Sequence, residues 1–360
     1  MQITQTVKQS TSLGADARQF RWHHGEIKSG VQEAARKARY GLMGDFCRKQ
    51  NINSLLVAHS RDDQAETLWM RKQCGGGWRA MAGMSESSYA PVWPQLRGIT
   101  LRRPLLGWSR EALREVCSDS GQLWHDDPSN GNLDYLRVQA RQALATDHAL
   151  CDSLLSEGEM MRSRREAEEL EAQKQLDAVN IKDCGCAYIA EQAALNEMAM
   201  ARLLMCISGS AQMADMARVR ALQSAMREQD YVSQTLGGCV IYRQGKGHGV
   251  ARETGRWLKQ QRPVSLPAHM PVVFDGRFEV TAPKAGYICA PLWPARAQLA
   301  QDEKSRLHRY DARARRGLFG VFDGEALIAA PHIGRGEMKW RGLTRARLYQ
   351  GRDRTGVNPA

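Results

Sequence analysis

No run of apolar residues in this chain approaches the roughly 18 that a membrane-crossing helix needs. Residues 1–20, MQITQTVKQSTSLGADARQF, are too polar for a secretory signal, and no basic amphipathic helix flanks a lipid-anchor site. These absences argue against membrane insertion and export, and predict a cytoplasmic protein with no membrane partner. A zinc site is argued against as well. The nine cysteines are scattered, Cys184 and Cys186 in KDCGCAY are the one close pair, and no second pair of similar spacing completes a ligand set. Reduced structural thiols are expected. What the chain has is size and charge. Its 360 residues, 42% hydrophobic, suffice for two or three globular domains. Lys and Arg (51) outnumber Asp and Glu (39), for a net charge of +12. That balance suits a polyanion, since neutralising phosphates releases counterions, although basic surfaces also occur without such a partner.

Along the chain, QFRWHH reads as a short strand. Val31, Ala34, Ala35, Ala38, Leu42 and Phe46 recur at helical spacing behind a capping Ser29. INSLLVAHS is a strand apolar on both faces, as in a buried parallel sheet. DDQAETLWMRKQ is a helix closed by GGG, GITLRRPLLG a strand, and SREALREVCSDSG a helix with a capping box from Ser109. This alternation predicts an α/β nucleotide-type domain over residues 1–145. Residues 146–230 read as a helical connector followed by short helices, 231–334 as a small α+β module, β-rich, with hairpins turning at Asp-Gly in PVVFDGRFEVTAP and GLFGVFDGEALIAAP. Residues 335–360 read as a disordered basic tail.

The chemistry-bearing stretch is LLVAHSRDDQAET, residues 55–67. On a helix starting near Ser60, Asp63 and Glu66 share a face. Acidic residues there complement a helix N-terminus; equally, the carboxyl end of a parallel strand is where open α/β sheets bind ligands. In that place a carboxylate can hold Mg²⁺ against ATP phosphates or relieve an attacking amine of its proton. Arg137 and Arg141, one helical turn apart, form a fork for phosphate or carboxylate, and a surface ion-pair helix would show the same residues. Asp127 before Pro128 starts a turn in which Asn130 tolerates a left-handed backbone.

Taken in order, GVQEAARKARY, VAHSRDDQAET, GGGWRAMAGM, RRPLLGWSREAL and LWHDDPSNGNLDYLR, followed by TLGGCVIYRQ and FDGRFEVTAP, resemble the tRNA(Ile)-lysidine synthases of the PP-loop ATP-pyrophosphatase group. The resemblance implies an incomplete doubly wound parallel sheet with PP-loop ATPase character, and a ligase that uses ATP and Mg²⁺ to adenylate the wobble cytidine of tRNA(Ile). The lysine amine then displaces AMP. It implies Asp63 as metal ligand or base, supported by Asp62 and Glu66, and His59, Gly75 and Gly77 at the nucleotide. Arg36, Arg39, Asp127, Asn130, Arg137 and Arg141 are implied at the substrate. A homodimer is left open.

The departures are specific. The family's phosphate loop, Ser-Gly-Gly-x-Asp-Ser, does not occur in these 360 residues, and GGG at Gly75–Gly77 follows a helix rather than a strand, so it cannot replace that loop. Phe20–Trp22 falls on the third strand of the family sheet, which leaves two strands and the loop unaccounted for. A truncated gene product or late start is the expectation. Cys74 stands where the family has arginine, and Val138 where it often has asparagine. The rival reading is a non-catalytic RNA-binding remnant; tRNA thiolation is poorly supported by a lone CGC.

Overall fold

The computed structural model describes residues 7, 9–26, 29–124 and 136–350. The chain divides into two compact units, Met1–Ala167 and Glu168–Ala360. In the first, helix α1 (Val31–Lys49) starts at Gly30, which is left-handed at φ 68° and contributes no side-chain cap, so Ser29 is not the cap. Strand β1 (Ser54–Leu56) leads into helix α2 (Arg61–Gln73). Strands β2 (Ser87–Tyr89) and β3 (Thr100–Arg102) follow, then helix α3 (Arg110–Asp119). The sheet has the order β1-β3-β2, with β1 parallel to β3 and β2 antiparallel to it. It is therefore mixed and three-stranded, and residues 15–26 add no strand to it. Phe20 instead sets its ring 5.4 Å from that of Phe46 on α1.

The two faces of β1 differ. Leu55 and Val57 pack on a core of Tyr40, Cys47, Val92, Leu96, Ile99 and Leu101, while Leu56 between them is 62% exposed. The expected cover on both faces is thus present on one. Helix α1 fits close beneath: a Cβ on Gly44 would lie 2.3 Å from the Gln95 carbonyl oxygen. Ser109 caps α3 by accepting from the Ala112 amide at 3.1 Å. The reciprocal half of the expected capping box is missing because alanine stands at that third position. Helices α4 (Leu136–Thr146) and α5 (His148–Leu176) complete the unit, α5 running on into the second. Ala65 and Leu68 of α2 share a core with Leu144 and Leu154 of these helices.

The second unit opens on a five-stranded antiparallel sheet, ordered β4-β5-β8-β7-β6. Its strands are β4 (Asn180–Ile181), β5 (Ala187–Ile189), β6 (Ser233–Leu236), β7 (Cys239–Gln244) and β8 (Gly247–Arg252). Against it lie α6 (Glu197–Ser208) and α7 (Met216–Ala225), whose Met, Leu and Ala side chains fill one core. The span 146–230 is accordingly not all helix. The remaining strands are β9 (Val264–Leu266), β10 (Pro271–Phe274), β11 (Phe278–Thr281), β12 (Tyr287–Pro291), β13 (Phe319–Asp323), β14 (Ala326–Ala329) and β15 (Lys339–Gly342). They form two sheets, β14-β13-β12-β9 and β10-β11-β15. Both expected hairpins are present, with Asp275, Gly276 and Gly324 at positive φ in their turns. The described part of the expected disordered tail is folded. β15 pairs Trp340 with Val280 of β11, and a short helix, Thr344–Leu348, buries Leu348 completely. Apolar side chains among the arginines supply what a solvated tail lacks.

Candidate active site at the carboxyl end of strand β1

Where β1 ends, the chain turns through His59 into Ser60, the N-cap of α2. Asp63 Oδ2 accepts from the Ser60 amide at 2.8 Å and from its hydroxyl at 3.0 Å, while Ser60 Oγ accepts from the Asp63 amide at 3.3 Å. The first turn of α2 is thereby closed by a reciprocal cap. Its outward oxygen, Oδ1, takes the NH2 group of Arg137 at 2.7 Å. One turn on, Glu66 is buried and ringed by guanidiniums. Arg137 Nε donates to Oε2 and Arg141 Nε to Oε1, each at 2.7 Å, and Arg110 NH2 to Oε1 at 3.2 Å. Asp62 accepts from the Arg110 backbone amide at 2.6 Å, at the N-terminus of α3. Among the described residues, three carboxylates and three guanidiniums thus meet in one cluster, drawn from α2, α3 and α4.

Electrostatics follow from these contacts. Burial alone would raise the Asp63 carboxyl, but the Ser60 hydrogen bonds and the Arg137 and Arg110 charges outweigh it and hold the group below the usual carboxylate range. Arg137 is pushed the other way, since Glu66 and Asp63 outweigh its burial. Burial, reinforced by Arg103, lowers the His59 imidazole, and its Nδ1 is buried without a hydrogen-bond partner. An ionised carboxylate that already meets arginine is a weak base; it suits the orientation of a cation better than the removal of a proton. The lone pairs of Asp63 and Glu66 face N–H groups, and among the described residues no group of three His, Cys, Asp or Glu could hold a metal. These side chains as arranged do not fit Mg²⁺ by themselves.

A PP-loop domain model matches residues 1–148. The tRNA(Ile)-lysidine synthase of Ruegeria pomeroyi is 32% identical over 340 residues, covering 91% of this chain and 77% of that protein. The chain belongs to the tRNA(Ile)-lysidine synthase family. The family member of Wolbachia pipientis wMel is 32% identical over 290 residues, 76% of this chain and 65% of the relative. That of Hyphomonas neptunium is 43% identical over 116 residues, 32% of each. The chain thus spans just under two thirds of the wMel lysidine synthase.

Of the residues that the lysidine synthase resemblance implied, Asp62, Asp63, Glu66, Arg137 and Arg141 come together. His59 adjoins them at the end of β1, and Arg36, exposed on α1, is close enough for its charge to act on His59. Arg39 is exposed on α1 and takes part in none of the cluster's ion pairs. Gly75 and Gly77 lie past the far end of α2. Asp63 and Gly75 are twelve positions apart, which at the rise of a helix is about 18 Å, so these glycines are not brought to the cluster. Asp127 and Asn130 lie outside the described residues. Val138 is buried beside Arg137, on the face of α4 turned to the core, so its departure from the family pattern leaves the fork intact. Cys74 is exposed.

Two residues escaped the sequence reading. Arg110 follows the Ser109 cap, and its place opposite Glu66 rests on a fold contact 44 positions away. Gln64, within DDQAET, is buried and clamps Met84 with both ends of its amide, at 2.8 and 3.0 Å. This fixes the turn at Gly83, where a Cβ would strike the Gln64 side chain.

Proposed function

We propose that the chain acts in ATP-dependent ligation of lysine to the wobble cytidine of tRNA(Ile), in the cytoplasm. The observation that carries this reading is the carboxylate–guanidinium cluster at the carboxyl end of a parallel strand, in a chain of this family. In the reaction, the cytidine carbonyl oxygen attacks the α-phosphorus of ATP and pyrophosphate leaves. The lysine side-chain amine then attacks the ring carbon, AMP departs with that oxygen, and the amine loses a proton. Asp63, held ionised, receives the lysine ammonium in exchange for Arg137; the ammonium gives a proton to solvent, and the neutral amine this leaves is the nucleophile. Arg137 and Arg141, whose side chains are 43% and 30% exposed, pair with substrate phosphate when released. The net charge of +12 holds the tRNA body through phosphate contacts and shape.

The test is incorporation of labelled lysine into a tRNA(Ile) transcript, beside ATP–pyrophosphate exchange. The proposal expects both, and expects Asp63→Asn to lower incorporation by two or more orders of magnitude, the size of effect seen when one positioned polar group is removed. tRNA affinity should stay nearly unchanged. A second reading, a non-catalytic tRNA-binding protein of the same family, rests on the net charge of +12. Salt-sensitive tRNA binding with no pyrophosphate exchange would select it.

A further inference from the structure

The one close cysteine pair of the sequence meets sulfur to sulfur in the second unit. Cys184 and Cys186 flank Gly185 in the turn joining β4 to β5. The turn is tied by the Lys182 amide to the Cys186 carbonyl and by the Gly185 amide to the Lys182 carbonyl, both at 2.9 Å. Gly185 is left-handed at φ 75°, where a side chain would be strained. A Cβ there would also come within 3.4 Å of Thr344 Oγ1 and 3.6 Å of an Arg277 guanidinium nitrogen. The glycine lets both flanking side chains turn inward, and their Sγ atoms lie 3.0 Å apart. The residues are 2% and 6% exposed.

Such a pair could be two core thiols, two ligands of a soft metal, or a dithiol that closes on itself. Distance separates the cases. Two thiolates on one tetrahedral zinc, with bonds of about 2.3 Å, stand about 3.8 Å apart. Among the described residues no group of three ligands includes them. A disulfide needs about 2.05 Å, so the pair is about 1 Å from bonding and already about 0.8 Å inside the spacing a chelate would hold. Cys206, Cys239 and Cys289 are buried too, but burial only pushes their thiols up. At Cys184 the hydrogen bond shared with Cys186 outweighs burial. With the charges of Lys182 and Arg277 it brings the thiol down to about 7, while Cys186 is raised. One sulfur is poised as thiolate and the other keeps its proton.

We propose that Cys184 and Cys186 form a redox-active dithiol that closes reversibly to a disulfide across Gly185. The oxidant is a hydroperoxide, small enough for a nearly closed site. Asp311 and Arg313 line a surface pocket of about 550 Å³. Both engage Tyr242, which shares a core cluster with the two cysteines. With hydrogen peroxide, the Cys184 thiolate attacks one oxygen, the O–O bond breaks, and the departing hydroxide takes up a proton as water. Cys186 then attacks the sulfenic sulfur of Cys184. The S–S bond forms as the sulfenic S–O bond breaks, and the hydroxyl leaves with the Cys186 proton as a second water. Two thiols are oxidised and one peroxide is reduced. The small strained ring makes the bond labile, so a low-molecular-weight thiol reopens it by exchange.

Trypsin, cutting after Lys182 and Arg202, releases both cysteines in one peptide, residues 183–202, with no other cysteine. The full chain, treated at neutral pH with stoichiometric hydrogen peroxide and then alkylated, should yield this peptide lighter by two hydrogens and unlabelled. Dithiothreitol should restore two labels. Closure should run at least tenfold faster than loss of alkylation at buried Cys206. In Cys186→Ser the disulfide should be absent, and Cys184 should be trapped by a sulfenic-acid probe such as dimedone. The wild-type measurement stands without any variant, and far-ultraviolet circular dichroism reports whether Cys186→Ser is folded. The proposal fails if both cysteines remain alkylatable after exposed Cys74 has been oxidised. It fails equally if the native chain takes up one equivalent of zinc or cadmium that Cys184→Ser loses, since the pair would then be a metal site.

Discussion

Arg137 reaches Glu66 Oε2 with its Nε at 2.7 Å, and the same guanidinium reaches Asp63 Oδ1 with its NH2 at 2.7 Å. One side chain from α4 therefore locks the Asp63 and Glu66 carboxylates of the first turns of α2, the latter only 2% exposed. A buried carboxylate with three guanidinium partners is costly to neutralise, because the arginines would be left facing one another. Glu66→Gln should destabilise the first unit by about 3 kcal/mol, the lower end for breaking a buried pair, since the arginines retain some solvent. Urea unfolding followed by circular dichroism measures this. A change under 1 kcal/mol would mean that the ring of arginines does not depend on Glu66.

Asp63 makes a separate prediction about acid. Its folded-state carboxyl lies below the ordinary value, so the unfolded chain takes up a proton first as pH falls. The stability it contributes is whole above an unfolded pKa of about 3.9 and is lost as pH drops through the lower folded value. The stability difference between the wild type and Asp63→Asn should be flat from pH 7 to about 5 and shrink only at the acid end. A difference that shrank between pH 7 and 5 would assign the titration to another group.

His332 shifts in the same direction with the opposite consequence for stability. Both its ring nitrogens are buried without hydrogen-bond partners, and its ring lies 4.4 to 5.1 Å from those of Trp340, Phe319 and Phe278. Burial, helped by the Arg277 charge, drives its pKa down to about 3. The folded imidazole is neutral while the unfolded one protonates near 6.5, so its penalty grows as pH falls from about 6.5 toward 3. His332→Phe should remove that part of the slope, and melting curves at pH 7 and pH 4.5 should show the variant losing less than the wild type. Equal losses would show that the imidazole finds a proton acceptor on folding.

These tests fall where the sequence was least readable. The Ser60 turn and the Asp-Gly hairpins were legible because each is settled within a few residues, by a hydroxyl at a helix start or a glycine at positive φ. Asp63, Glu66, Arg137 and Arg141 were legible as charges of opposite sign at helical spacing. What was not legible depends on distant partners. Arg110 faces Glu66 only once α3 docks, and Gln64 is just a polar residue until Met84 arrives. Residues 339–348 read as a tail because their arginines dominate locally, yet Trp340 and Leu348 find a strand and a core 60 or more positions upstream. QFRWHH has strand-like residues, and among the described residues no strand pairs with it.

The edge of β1 gives the last test. In a parallel pair, alternate amides of a strand point to its neighbour and the others point away. Val57 donates to the Arg102 carbonyl of β3 at 2.9 Å, so the amide before it, on Leu56, faces outward. Among the described residues the ladder on that side is empty: β1 pairs with β3 and no other strand. The Leu56 side chain is exposed along with the strand's outer edge, the condition under which a strand recruits another. Hydrogen exchange resolved by residue should therefore find Leu56 at least tenfold faster than Val57, because only the latter needs the β1–β3 ladder to open. Slow exchange at both amides would mean that another strand occupies this edge in solution. The exposure of Leu56 would then be an interface rather than a surface.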